Sequence, residues 1–257
     1  MLNDYFKQRL MGFHVKSALE HNNMVNIIGT FCFGSQNYNL ATENSDLDTK
    51  TLVTPSITSI AGNHPVHGFI FHDDNSKDQA TMTDVRVAMA NFVKSGIPDL
   101  EILFTNYYWV NPLYTRFYNQ LREWREAIAY RKPTTILFTT QSIAKKEAAK
   151  ALENDKMLCE VLRRERFLEL YCKGEGNFAE ALSSGAEFLD IKLGNYDKSH
   201  AEAMVAASLR HIDELVEKNR NMESTVFYTQ TSELLYYVRL SIIKTSLEEE
   251  LAHERPW

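Results

Sequence analysis

Apolar and polar positions along this chain follow two periods, one helical and one extended. Near the start, Tyr5, Leu10, Phe13 and Val15 recur at helical spacing behind Asn3 or Asp4, either of which can cap a helix running to about Glu20. His21-Asn22-Asn23 breaks that pattern. Residues 24–33 (MVNIIGTFCF) are short, β-branched and aromatic, which predicts a strand ended by Gly34-Ser35. A polar loop leads to a second strand, SDLDTKTLV, closed by Pro55. Residues 58–76 hold Gly62, Pro65, Gly68 and the polar run HDDNSK and read as loop and hairpin, ahead of a third strand at about 77–82. Thr83 then caps a helix with Val85, Met89, Phe92 and Val93 on one face, and Gly96-Ile97-Pro98 stops it. Asp99 can cap the next helix, LEILFTN. Helical spacing dominates from there, at about 113–130, 134–153, 156–172, 176–190, 198–221 and 225–251.

This order predicts an α/β (α+β) protein, a small mixed-sheet core followed by a C-terminal α-helical bundle. The boundary falls near Arg131-Lys132-Pro133, giving a catalytic domain over 1–132 and a helical substrate- and nucleotide-binding domain over 133–257. Composition fits: 44% of the 257 residues are apolar and 24% charged, enough to bury a sizeable core. A net charge of −6 excludes coating nucleic acid by bulk positive charge but leaves room for a local basic cleft. Residues 116–150 supply one, with eight Lys or Arg against three acids, whereas residues 197–257 carry seven against eleven. Three cysteines without a CxxC pair read as reduced thiols in a cytoplasmic protein. The start lacks a signal-peptide stretch, and no run approaches the ~18 apolar residues that cross a bilayer, so no membrane partner is expected.

The informative stretch for chemistry is Gly34-Ser35, a loop, then Ser45-Asp46-Leu47-Asp48. In a strand, residues i and i+2 point the same way, so Asp46 and Asp48 set two carboxylates side by side. Two adjacent anions repel, and a hard divalent cation with oxygen ligands, Mg²⁺ or alternatively Mn²⁺, resolves the repulsion. A third carboxylate from the neighbouring strand would complete a two-metal site able to activate a hydroxyl and stabilise leaving pyrophosphate. Asp78 is the first choice and Asp84 the rival. Gly34 lets the backbone approach a phosphate closely, and the Ser35 hydroxyl and neighbouring amides can bind its oxygens. A DxD alone is expected by chance on the order of once in a chain this long. The specific feature is the single Gly-Ser at a strand end eleven residues before that DxD, which itself opens a strand.

FGSQNYNLATENSDLDTK resembles the signature of the DNA polymerase β-like nucleotidyltransferase superfamily. KDQATMTDVRVAMANFVKSGIPDLEILF is similar to the next segment of the nucleotidyltransferases predicted in phages and bacterial RNA-repair operons. There, an Asp-bearing strand leads into a helix, a Gly-Asn-Pro-like turn and a Leu-Glu-x-Leu helix; here Gly96-Ile97-Pro98 and Leu100-Glu101-Ile102-Leu103 stand in those places. Lys156 and Arg163 resemble the Lys…Arg pair of the family's helical domain. The similarity covers roughly residues 20–170. It implies NMP transfer from an NTP to a hydroxyl with loss of pyrophosphate, the acceptor being an RNA or tRNA end or, alternatively, a protein hydroxyl. Gly34, Ser35, Lys156 and Arg163 would bind the nucleotide, Asp46, Asp48 and Asp78 the metal, and Asp78 would take the acceptor's proton. The spacing from Asp78 to Arg86 is one residue longer than the family's, which keeps Asp84 as an alternative. Cys159-Glu160 stands where relatives carry Tyr-His. A partner of the same fold that binds nucleotide without turnover is the competing reading. Oligomeric state is not legible.

Other groups have plainer readings. His64, His67 and His72 have spacing that a zinc site could use but lack a fourth ligand. Lys145 and Lys146 could reach triphosphate or could face solvent. Tyr107-Tyr108-Trp109 and Tyr236-Tyr237 could stack on a base, although aromatics in such runs are more often packing.

Overall fold

The computed structural model describes residues 2–21, 26–62, 64, 70–72 and 77–253. The chain opens with α1 (Leu2–Arg9), a π-helical stretch (Leu10–Val15) and α2 (Lys16–His21), continuous where one α-helix is predicted. Then come β1 (Ile27–Phe33), β2 (Asp48–Val53), α3 (Ile57–Ala61), β3 (Ile70–His72) and β4 (Gln79–Asp84). Helices α4 (Val85–Val93) and α5 (Ile97–Phe104) follow, the first capped by Asp84 rather than Thr83 and the second starting from Gly96 with Pro98 in its first turn. After β5 (Tyr108–Val110) the chain is helical: α6 (Thr115–Glu123), α7 (Arg125–Ala129), α8 (Pro133–Ala151), α9 (Asp155–Tyr171), α10 (Phe178–Leu182), α11 (Ala186–Lys192), α12 (Ala201–Lys218) and α13 (Tyr228–His253). The predicted α+β class, a mixed sheet with a helical C-terminal region, is what the structure has.

The five strands lie in the order β3-β4-β2-β1-β5. β1 runs antiparallel to β2 and β5, β2 parallel to β4, and β3 antiparallel to β4. The two faces have different cover. Leu47 and Cys32 face the N-terminal helices and pack with Phe6, Leu10 and Val15. Phe31 and Leu52 face the other way, into a core with Met89 and Phe92 of α4 and Leu100 and Leu103 of α5. That second core continues without a break through α8 and α9 (Ile136, Leu137, Phe167, Tyr171) to α12 and α13 (Ile212, Leu235, Ile242). Helix α13 also reaches the end of β2, where the Ser246 hydroxyl lies 2.6 Å from that of Thr54. No helix among the described residues is long and apolar enough to cross a membrane.

Candidate active site

The site is built where β1 ends and β2 begins. Gly34 takes φ +85°, a left-handed conformation that releases the chain from β1 into the loop. A Cβ built on Gly34 would lie 3.9 Å from Asp48 Oδ2, so this turn stands directly beside the carboxylate. Buried Glu101 braces it from α5: the Gly34 amide donates to Glu101 Oε2 at 3.2 Å, and the Tyr38 hydroxyl donates to Oε1. Burial raises the Glu101 pKa. The Leu-Glu-x-Leu helix thus holds the phosphate-loop candidate by its glutamate.

Asp48 opens β2 opposite Phe33, and Asp46 sits two residues earlier. Among the described residues neither carboxylate has a hydrogen-bond or ion-pair partner. Asp48 is pushed up to about 6, first by burial and then by the charge of Asp46; Lys156 opposes the shift. Lys156 comes from the first turn of α9, whose cap, Asn154, accepts the Lys156 and Met157 amides. Lys192, at the end of α11, donates to the Leu40 carbonyl at 2.8 Å. Its pKa is lowered by burial and by Lys156, while the Asp46 charge acts in the opposite sense. Two carboxylates are therefore faced by two lysines that feel each other. The candidate donors are carboxylate oxygens without a direct hydrogen-bond or ion-pair partner among the described residues, a set that could hold a hard divalent cation at Asp46 and Asp48.

Asp78 does not join them. Register pairs Asp48 with Gln79, so Gln79 shares the Asp48 face and Asp78 points to the opposite one, toward the N-terminal helices. Its carboxylate is 1% exposed and already occupied. Arg9 donates to both oxygens, by Nε to Oδ2 at 3.2 Å and by Nη2 to Oδ1. The Leu47 amide donates to Oδ1 at 2.9 Å, and His14 Nε2 lies 3.2 Å from Oδ2. The expectation of a third metal-binding, proton-accepting carboxylate at Asp78 is corrected on this ground. The register of β4 on β2 puts the side chain on that side of the sheet. Asp84 is no substitute. It lies five residues beyond Gln79, the position level with Asp48, roughly 17 Å away at strand rise, capping α4 and paired with Arg86 at 2.6 Å.

Arg163 is buried on α9 rather than lining open space. Its guanidinium lies 3.7 Å from the Tyr38 ring centre and donates to Glu160 at 2.7 Å. Arg163 therefore extends the brace from Gly34 through Glu101 and Tyr38 to the helical region. Lys145 pairs with Asp213 at 2.8 Å, and Lys146 is exposed. Tyr108 stacks on Phe31 as part of β5, Tyr107 packs edge-on against Phe6, and Tyr236 and Tyr237 stand exposed on α13. His67 and the side chain of His72, two of the three histidines with zinc-like spacing, lie outside the described residues. A separate convergence of Glu165, Glu169 and His211 is an ion-paired contact between α9 and α12. Sequence reasoning missed Lys192, which had no local motif, and Glu101 as a brace, although the Leu-Glu-x-Leu resemblance marked it.

No protein-family model matches the sequence, and no curated protein matches it. Two solved chains do. One is a nucleotidyltransferase-like protein from Exiguobacterium sibiricum 255-15, similar over 98% of this chain and 81% of that one, at 10% identity and a TM-score of 0.31.

Proposed function

We propose that the site at Asp46 and Asp48 binds a magnesium–nucleoside triphosphate and transfers its NMP unit to a hydroxyl, releasing pyrophosphate. One observation carries this reading: two unpartnered carboxylates, one of them raised to about 6, face Lys156 and Lys192. A polyanion bringing its own divalent cation satisfies both halves together, carboxylates through the cation and lysines through phosphate oxygens. The bound Mg²⁺, or Mn²⁺ in its place, would polarise the phosphoryl group and neutralise charge on the leaving group. The chain's own residues do the positioning. Gly34 turns the chain so that the Ser35 amide and hydroxyl can meet phosphate, Glu101 holds that turn through the Gly34 amide, and the lysines draw the triphosphate tail away from the aspartates. The acceptor we favour is an RNA or tRNA end, supported by the family resemblance and the positive segment 116–150. A protein hydroxyl is the alternative.

A second reading, nucleotide binding without turnover, is favoured by Gln79 standing where a third carboxylate would share the Asp48 face. One experiment separates the two. The protein is incubated with Mg²⁺ and each α-labelled NTP in cell lysate, with Asp46→Asn/Asp48→Asn as the blank, and labelled product is split by RNase and by protease. RNase-sensitive label above the blank supports the transferase with an RNA acceptor, and protease-sensitive label moves the acceptor to protein. Mg²⁺-dependent NTP binding without label or pyrophosphate supports the binder. Neither binding nor label refutes both.

A further inference from the structure

We infer that Asp78 is a positioning residue for the Asp46–Asp48 pair, acting through a clamp that Arg9 and His14 carry on the N-terminal helices; this rests on the nucleotide reading above. Like-charged neighbours at a strand end need to be held, because their repulsion favours turning one of them away. Three residues that alternate with them are held. Arg9 Nη1 donates to the Ser45 carbonyl at 2.9 Å, Asp78 Oδ1 accepts the Leu47 amide at 2.9 Å, and His14 Nδ1 lies 2.8 Å from the Thr49 hydroxyl. Arg9 and His14 both bind Asp78 as well, so the three tethers are one connected unit. Residues 45, 47 and 49 are thus fixed from the side of the sheet that the N-terminal helices cover, leaving 46 and 48 to face the other way. The π-helical stretch Leu10–Val15 carries His14 between Asp78 and Thr49. Such turns recur where a helix must deliver a side chain to a functional site.

The test is the Mg²⁺ dependence of ATP binding by wild type, Arg9→Lys, Asp78→Asn and Arg9→Met/Asp78→Asn, with thermal melts to confirm folding. Arg9→Lys keeps the charge and loses the fork, and it carries the test alone should Asp78→Asn fail to fold. The expected result is a rise of about tenfold in half-saturating Mg²⁺ at unchanged maximal binding, the usual effect of losing a group that orients metal ligands. The double variant should be no worse than Asp78→Asn, since both act through one unit. Loss of binding at every Mg²⁺ concentration in Asp78→Asn, with Arg9→Lys like wild type, would overturn the inference and make Asp78 a direct ligand. Unchanged Mg²⁺ dependence in all variants would overturn it too. Failure of wild type to bind Mg·ATP would sink the nucleotide reading itself and, with it, any positioning role. The clamp can still be judged without ligand. The Leu47 amide should exchange slowly in wild type and faster in Arg9→Lys, and equal exchange would remove the clamp on its own.

Discussion

Replacing Asp48 by asparagine should make the metal-free protein more stable at neutral pH while removing its nucleotide binding. Asp48 has its carboxyl raised from 3.8 to about 6, by burial and then by Asp46. Between those values the native state holds a proton that the unfolded chain has released. Stability therefore falls as pH rises from about 4 to about 6, and the whole penalty is present above about 6. Two pKa units correspond to about 3 kcal/mol. Asp48 is only half-buried, and solvent screening reduces this to about 1–2 kcal/mol. For a chain of this size that predicts a melting temperature about 2–8 °C higher for Asp48→Asn at pH 7.5. At pH 3.5 the two proteins should melt together. Millimolar Mg²⁺ with ATP should raise wild type and leave the variant where it was. Melts followed by circular dichroism at both pH values decide the matter. A variant less stable than wild type at pH 7.5, or a gain equal at both pH values, would refute the argument that the aspartate pair is electrostatically strained.

Other substitutions separate binding from bracing. Lys156→Ala should weaken Mg·ATP binding about tenfold in a titration while shifting stability by less than about 0.5 kcal/mol, because the side chain is exposed. Arg163→Ala should do the reverse. It removes the closer partner of Glu160, leaving only Arg164 at 3.5 Å, and uncovers Tyr38, costing about 3 kcal/mol in denaturant unfolding with nucleotide affinity nearly kept by the fraction that folds. Tyr38→Phe should cost about 1–3 kcal/mol by leaving buried Glu101 with one donor fewer. Asp84→Ala should cost about 1–2 kcal/mol through the lost cap on α4 and leave Mg²⁺ dependence untouched, which a role for Asp84 in metal binding would contradict.

The mixed sheet, the helical second half and the meeting of Gly34 with the Asp46–Asp48 pair were legible because each rests on local signals: β-branched runs, caps, a Gly-Ser at a strand end. What escaped depends on pairings between distant segments. Three-residue β5 is too short to show a period, and its aromatics read equally well as packing. The side of the sheet taken by Asp78 follows from the register of β4 on β2, and a shift of one residue reverses it. Lys192 reaches the loop 152 positions earlier in sequence through helix packing. The π-helical stretch has no sequence signature, yet it determines where His14 falls.

The continuity of the core through α13 bears on how the protein is made. Helix α13 is synthesised well after α4 and α5, yet its Leu235, Val238 and Ile242 complete the core that those helices begin. Until residues 228–253 emerge, the face of α4 beneath them stays wet. At translation rates of about 5–20 residues per second the core beneath α4 waits several seconds or more for its cover. Synthesis stalled before residue 228 should therefore leave a nascent chain open to protease around α4, and translation of α13 should close it in one step.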